Sequence, residues 1–195
     1  DAAALTAVLD ASPSHGTVDL KADGSFSYTP AANYFGPDSF TYHVTDGKDS
    51  SAPPATVSIN VREINDAPVV KGEAIAIDED SANTLIDVLA NDAAGPANES
   101  GQALKLAYAF FSQNGSSLQI DGQNRLVYTP PANFAGEDTI TYGVQDNGTT
   151  GGLSAPKTTE GTVKITVKAV NDAPVAANDS AKTNEDTIVT GNVLT

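Results

Sequence analysis

The chain has 195 residues, a formal net charge of −15 and no cysteine, methionine or tryptophan. Such acidity argues against nucleic acid and anionic membranes as partners, since lysines and arginines would be needed to release phosphate counterions. The missing cysteines exclude disulfides and Cys-ligated zinc. Neither a secretory leader nor an apolar run near the roughly 20 residues of a membrane span is present.

Alternation of apolar and polar residues runs through the whole chain. Val18 and Leu20 lead through Ala22-Asp23-Gly24-Ser25 to Phe26 and Tyr28, a hairpin whose Asp-Gly supplies the positive φ of a tight turn. Phe40, Tyr42 and Val44 point one way while Thr41, His43 and Thr45 point the other, and Val57, Ile59 and Val61 form a further strand. After Asn65-Asp66-Ala67-Pro68, the pattern returns. Leu118 and Ile120, a turn at Asp121-Gly122-Gln123-Asn124, then Leu126 and Tyr128 repeat the hairpin; Ile140, Tyr142, Val144 and Val163, Ile165, Val167 repeat the later strands. No window carries a helical apolar stripe. With turn signals every ten residues or so, the expected fold is all-β, built of tandem Greek-key β-sandwiches.

Two internal matches define the repeat. Tyr28-Thr29-Pro30-Ala31-Ala32-Asn33-Tyr34-Phe35-Gly36-Pro37-Asp38 returns as Tyr128-Thr129-Pro130-Pro131-Ala132-Asn133-Phe134-Ala135-Gly136-Glu137-Asp138, and the first Asn-Asp-Ala-Pro returns as Asn171-Asp172-Ala173-Pro174. A period of about 100 residues is the size of one sandwich domain, too long for a solenoid unit. The expected organisation is an incomplete repeat over 1–64, a joint at 65–68, a complete repeat over 69–170, a joint at 171–174, and the opening strands of a third repeat over 175–195. Nothing in 1–64 corresponds to Ile75-Ala76-Ile77-Asp78-Glu79-Asp80-Ser81, whereas Ala181-Lys182-Thr183-Asn184-Glu185-Asp186-Thr187 does. The chain therefore reads as a piece of a longer array. Residues 175–195 are expected either to insert as strands into the incomplete repeat of a neighbouring molecule or to lie along their own second domain.

The chemistry available suits calcium, a hard ion that takes six to eight oxygens from carboxylates, amides, backbone and water. Catalysis finds no support: only His15 and His43 could act as neutral-pH bases, His43 aligns with Gly143, and no nucleophile elbow or phosphate-cradling loop is present.

Val44-Thr45-Asp46-Gly47, the strand from Ala55 to Val61 and the joint Glu63-Ile64-Asn65-Asp66-Ala67-Pro68 resemble the end of a cadherin repeat. The likeness is nearer still to the cadherin-like and bacterial immunoglobulin-like tandem repeats of large bacterial surface adhesins, of RTX type and exported by type I secretion. What the resemblance implies is calcium at the joints. At the first joint it assigns Glu63, Asn65 through its backbone carbonyl, Asp66 and, reaching back from the following domain, Asp146. Asp92 falls where such repeats carry an Asp-x-Asp cluster that is depleted here, with Asn98 and Glu99 as substitutes. Glu79 is assigned to the second joint with Asn171 and Asp172; Glu185, if exchanged into a neighbour, would complete that neighbour's first joint, and Asp1 and Asp46 would serve the second joint across the contact.

Each assignment has a plainer alternative. Asp66 and Asp172 could cap a turn, Asp46 and Asp146 could be turn residues beside glycine, and Asp38 and Asp138 could close a turn by hydrogen bonding. Tyr42 and Tyr142 read as core residues with hydroxyls bonded to backbone. The expected function is a calcium-binding structural and adhesive module at the bacterial cell surface or outside the cell. The alternative is a carbohydrate-binding module that recognises an exopolysaccharide or surface glycan through Tyr34, Phe35 or Phe134, with calcium in support.

Overall fold

The computed structural model describes residues 4–110 and 114–193. It is all-β, with a single three-residue 3-10 turn at Ala97–Glu99 as the only helical element among them. The first domain contains β1 (Thr6–Ala11), β2 (Gly16–Leu20), β3 (Phe26–Pro30), β4 (Gly36–Thr45) and β5 (Ala55–Val61). Strands β1, β4 and β5 form one sheet, and β2 and β3 form the predicted hairpin, with Gly24 at φ 88° in its turn.

The second domain contains β6 (Glu73–Asp78), β7 (Thr84–Ile86), β8 (Lys105–Phe110), β9 (Ser117–Ile120), β10 (Leu126–Thr129), β11 (Gly136–Gln145), β12 (Thr149–Thr150), β13 (Leu153–Ser154) and β14 (Thr158–Lys168). One sheet runs β6-β14-β11-β8 and faces a second, β7-β10-β9. Strand β6 pairs with β14 in parallel, Ile75 opposite Ile165. The two inner faces meet in one core, in which Leu126, Tyr128, Tyr142, Val144 and Val163 are fully buried. Period-two patterning dictates this: alternate residues of each strand share a face, so Val163, Ile165 and Val167 point inward together.

The repeated Tyr-Thr-Pro-x-Ala-Asn motif is a clamp between sheets. The Tyr28 hydroxyl on β3 donates to Asp38 Oδ2 on β4 at 2.9 Å, and Tyr128 on β10 donates to Asp138 Oδ2 on β11 at 2.8 Å. Between them the chain turns the same way twice. Tyr34 N donates to the Ala31 carbonyl and Phe134 N to the Pro131 carbonyl, both at 3.2 Å, with Asn33 and Asn133 at φ 59° and 56°. Asparagine tolerates this left-handed backbone better than other non-glycine residues, which accounts for its recurrence. Asp38 also accepts from the amides of Ser14, His15 and Ser39, so Asp38 and Asp138 take the turn-closing role.

Burial works to raise the pKa of Asp38, but its hydrogen bonds from Tyr28, His15, Ser39 and Ser14 outweigh it and hold the group at about 2, below its ordinary 3.8. A carboxylate depressed in the folded state contributes stability that is present above its unfolded pKa and is lost as pH falls through the folded one. The first domain is therefore expected to lose stability between pH 3.8 and about 2. An Asp38→Asn variant should show a flatter acid limb in urea-unfolding midpoints; an unchanged limb would remove Asp38 as the cause.

The two domains differ in completeness. Val163, Ile165 and Val167 are buried in the second domain, yet their counterparts Val57, Ile59 and Val61 are only half-buried. The reason is structural: among the described residues, β5 has β4 on one side and no strand on the other.

Candidate functional site

The joint after β5 docks against the second domain through Asn65, which is 0% exposed. Its backbone amide donates to Thr150 Oγ1 at 3.0 Å, and its side-chain amide donates to Asp146 Oδ1 at 2.9 Å and to the Ala155 carbonyl at 3.0 Å. Gln102 Nε2 in turn donates to Asn65 Oδ1 at 2.9 Å. Neighbouring residues extend the contact. Glu63 Oε2 accepts from Thr149 Oγ1 at 2.8 Å, and Asp66 N donates to Glu99 Oε1 at 2.7 Å.

This arrangement places negative charge away from the surface. Glu99 and Asp146 are 3% and 1% exposed. Each has one oxygen engaged, whereas Glu99 Oε2, Asp146 Oδ2 and Gln102 Oε1 are buried with no hydrogen-bond partner. Buried anionic oxygens without partners are costly, and a cation is the usual relief. The donors are hard oxygens, all on residues of the second domain, of the kind calcium takes. The acidic side chains are two rather than three: no group of three or more His, Cys, Asp or Glu side chains close enough to share a metal is found among the described residues.

Of the residues the resemblance assigned to the first joint, Asn65 meets Asp146, Glu63 meets Thr149, and Asp66 meets Glu99 through its backbone amide alone. Asn65 enters through its side chain, which the expectation of a backbone-carbonyl ligand did not anticipate. Gln102 carried no signal in the sequence, because its partner lies 37 residues away.

Asp92 is placed differently. Its Oδ1 accepts from Lys71 N at 2.8 Å, and it makes no hydrogen bond to the joint residues among the described residues. It acts on Glu73, whose Oε2 accepts from the Tyr142 hydroxyl at 2.8 Å. Burial raises the pKa of both Glu73 and Asp92, and the Asp92 charge adds to the effect on Glu73. The Tyr142 hydroxyl therefore meets a carboxylate, not the backbone group expected of it.

Glu79 reaches the second joint: its amide donates to the Lys168 carbonyl at 2.8 Å and its carboxylate accepts from Val170 N. Asn171 and Asp172 are exposed there, with Asn171 Nδ2 donating to the Asp172 carbonyl at 3.3 Å. Asp46 is an exposed turn residue accepting from the amides of Lys48 and Asp49, bonds that lower its pKa, that to Asp49 most. Glu185 is exposed, its carbonyl accepting from Thr187 Oγ1. Asp1 lies outside the described residues.

The aromatic candidates for sugar stacking divide. Phe134 packs against the core, and Tyr34 stacks on His15 at 4.1 Å and donates to the Pro37 carbonyl. Phe35 remains 44% exposed. It lines an open groove of about 350 Å³ at the joint with Tyr34, Arg62, Ile64, Asp66 and Asn98.

A family model of the bacterial Ig domain matches residues 65–166, and one of the bacterial cadherin-like domain matches residues 1–63. The former spans more than half of the chain, and the chain belongs to the bacterial Ig domain family. Human Protocadherin Fat 1 is 35% identical over a 146-residue alignment that covers 69% of this chain and 3% of that relative's length. Among solved structures, EC1-2 of human Protocadherin-24 superposes with a TM-score of 0.51 at 16% identity, covering 89% of this chain and 84% of that one, and so shares the fold. An endo-fucoidan hydrolase from glycoside hydrolase family 107 matches at a TM-score of 0.33 and 20% identity over 87% of this chain and 24% of its own. No helix among the described residues is long and apolar enough to cross a membrane.

Proposed function

We infer that this chain is a structural and adhesive segment of a bacterial surface or secreted adhesin, whose joints are stiffened by calcium outside the cell. One observation carries the reading: Glu99 and Asp146, which accept from Asp66 N and Asn65 Nδ2 of the linker, each keep a buried carboxylate oxygen without a partner. Glu99, Asp146 and Gln102 would hold the ion through the oxygens left without partners. Bound calcium supplies two positive charges and a demand for six to eight oxygen ligands. Asn65 ties the linker to Asp146, just after β11, and to Ala155 in the loop before β14, beside these oxygens. Without the ion, the uncompensated buried charges of Glu99 and Asp146 beside the docked linker would favour its loosening. The second joint has Glu79 in place beside Val170, with Asn171 and Asp172 as its remaining donors; Ala169 stands where Glu63 stands in the first, which makes it the weaker site.

Extracellular calcium modules bind at about 0.1 to 1 mM. Calcium at a hundredfold excess over its dissociation constant should stabilise the folded state by roughly 2.7 kcal/mol per site. Thermal melting and small-angle scattering across a calcium titration should show a higher midpoint and a narrower distribution of interdomain distances. No change in either would defeat the reading. The exposed Phe35 and its groove support a second reading, recognition of a glycan at the joint, which binding on a glycan array would favour and Phe35→Ala should then abolish.

A further inference from the structure

We propose that the outer face of the β6-β14-β11-β8 sheet binds a neutral glycan chain on a platform formed by Tyr108 and Phe110. Alternation decides which side chains reach that face. Tyr142 and Val144 are buried in the core, so Gly143 between them faces outward, paired with Tyr108 on β8 and with Glu160 on β14. The adjoining row is Phe110, Thr141 and Thr162.

Gly143 lets the platform lie flat on the sheet. A Cβ there would sit 2.4 Å from Tyr108 Cζ and 2.6 Å from its Cε1, so the phenol ring fills the space that a side chain would take. Across the glycine, the Tyr108 hydroxyl donates to Glu160 Oε1 at 3.1 Å. Phe110 stands beside this ring, with centroids 5.0 Å apart and planes at 37°, and is 56% exposed. The fold itself asks for none of this. In the first domain Val8, His43 and Ala11 hold the positions of Tyr108, Gly143 and Phe110, and His43 Nδ1 lies 2.8 Å from Asp10 Oδ1 instead.

The shape and chemistry of the two rows select the occupant. A pyranose ring offers a face of C–H groups to an aromatic plane and turns its hydroxyls to the sides, where Thr141, Thr162 and the exposed Glu160 stand. Two aromatic side chains cover about 150 to 250 Å² each, well short of the roughly 800 Å² per side of a stable protein interface. Aromatic sites for cations enclose them in a cage, whereas here both rings share one open face. The only charge in the two rows is Glu160, with Lys105 a row beyond it beside Gln145; in a chain of net charge −15 this disfavours sulfated and uronate glycans.

Native gels cast with dextran, galactomannan or hydroxyethylcellulose test this, with alginate and chondroitin sulfate gels as polyanionic controls. Phe110→Ala, Tyr108→Ala and Gly143→Ala leave the net charge unchanged, so a change in retardation reports binding. At least one neutral polymer should retard the parent, with the apparent affinity falling about tenfold in Phe110→Ala and in Tyr108→Ala. Gly143→Ala keeps both aromatics but displaces the Tyr108 ring, and should weaken binding as well. Because Phe110 is exposed, its variant should melt near the parent temperature, so lost binding would not reflect unfolding. The proposal is overturned if no neutral polymer retards the parent, if only the polyanions do, or if Phe110→Ala is retarded as the parent is. Retardation that Phe35→Ala abolishes and Phe110→Ala leaves intact would put the glycan at the joint and remove it from this face.

Discussion

Replacing Asp146 with alanine is expected to destabilise the second domain by about 3 to 5 kcal/mol, the cost of breaking a buried charged network. Asp146 Oδ1 accepts from Asn65 Nδ2 and Gly148 N at 2.9 Å and from Lys157 N at 3.0 Å, in a site 1% exposed. Alanine leaves these donors buried without an acceptor, each at about 1 to 3 kcal/mol. Asp146→Asn should behave otherwise. It keeps the accepting oxygen while removing a buried negative charge, so in chelator it is expected to stay within about 1 kcal/mol of the parent. In calcium it should fail to gain what the parent gains. Urea unfolding of the three proteins with and without calcium measures both effects, and an alanine variant as stable as the asparagine variant would show that the hydrogen bonds carry little.

Gly148→Ala is expected to undo the docking of the joint. A Cβ at this position would sit 1.7 Å from Asn65 Oδ1 and 2.1 Å from its Cγ, far inside any contact that real atoms make. Asn65 must then leave its pocket, forfeiting its bonds to Asp146, Thr150, Ala155 and Gln102. The expected loss is about 2 to 4 kcal/mol, with a wider spread of interdomain distances by small-angle scattering. Gly122→Ala, whose added Cβ meets nothing within 4 Å, is the matched control and should be close to neutral. Equal behaviour of the two variants would mean that Asn65 does not set the interdomain geometry.

The strands were legible in the sequence because a half-buried sheet imposes a period of two, and the repeated Tyr-to-Asp spacing announced a shared turn before its clamp was visible. The joint was legible only in outline. Asp146 meets a residue 81 positions away and Glu99 one 33 positions away, and no local pattern encodes such pairings. Symmetry between repeats also misled: Asp46 occupies the position of Asp146, yet it is exposed, because burial at Asp146 comes from the linker laid over it and no described segment covers Asp46 in the same way. Asp92 was expected at the joint from its place in the repeat, but its Oδ1 is taken by the Lys71 amide, its Oδ2 is buried without a partner, and its charge is directed at Glu73.

The proposed function requires that the unpartnered oxygens of Glu99 and Asp146 be buried at a cost that a divalent cation relieves. The most direct measurement is the melting temperature of the parent and of Glu99→Gln, each in chelator and in millimolar calcium. Glutamine keeps the acceptor for the Asp66 amide and neutralises the oxygen that has no partner. In chelator, Glu99→Gln should melt no lower than the parent; in calcium, the parent should rise by about 10 °C, the shift that roughly 2.7 kcal/mol gives a domain of this size, and the variant should not follow. A variant that melts well below the parent in chelator, or that gains as much from calcium as the parent does, would contradict it.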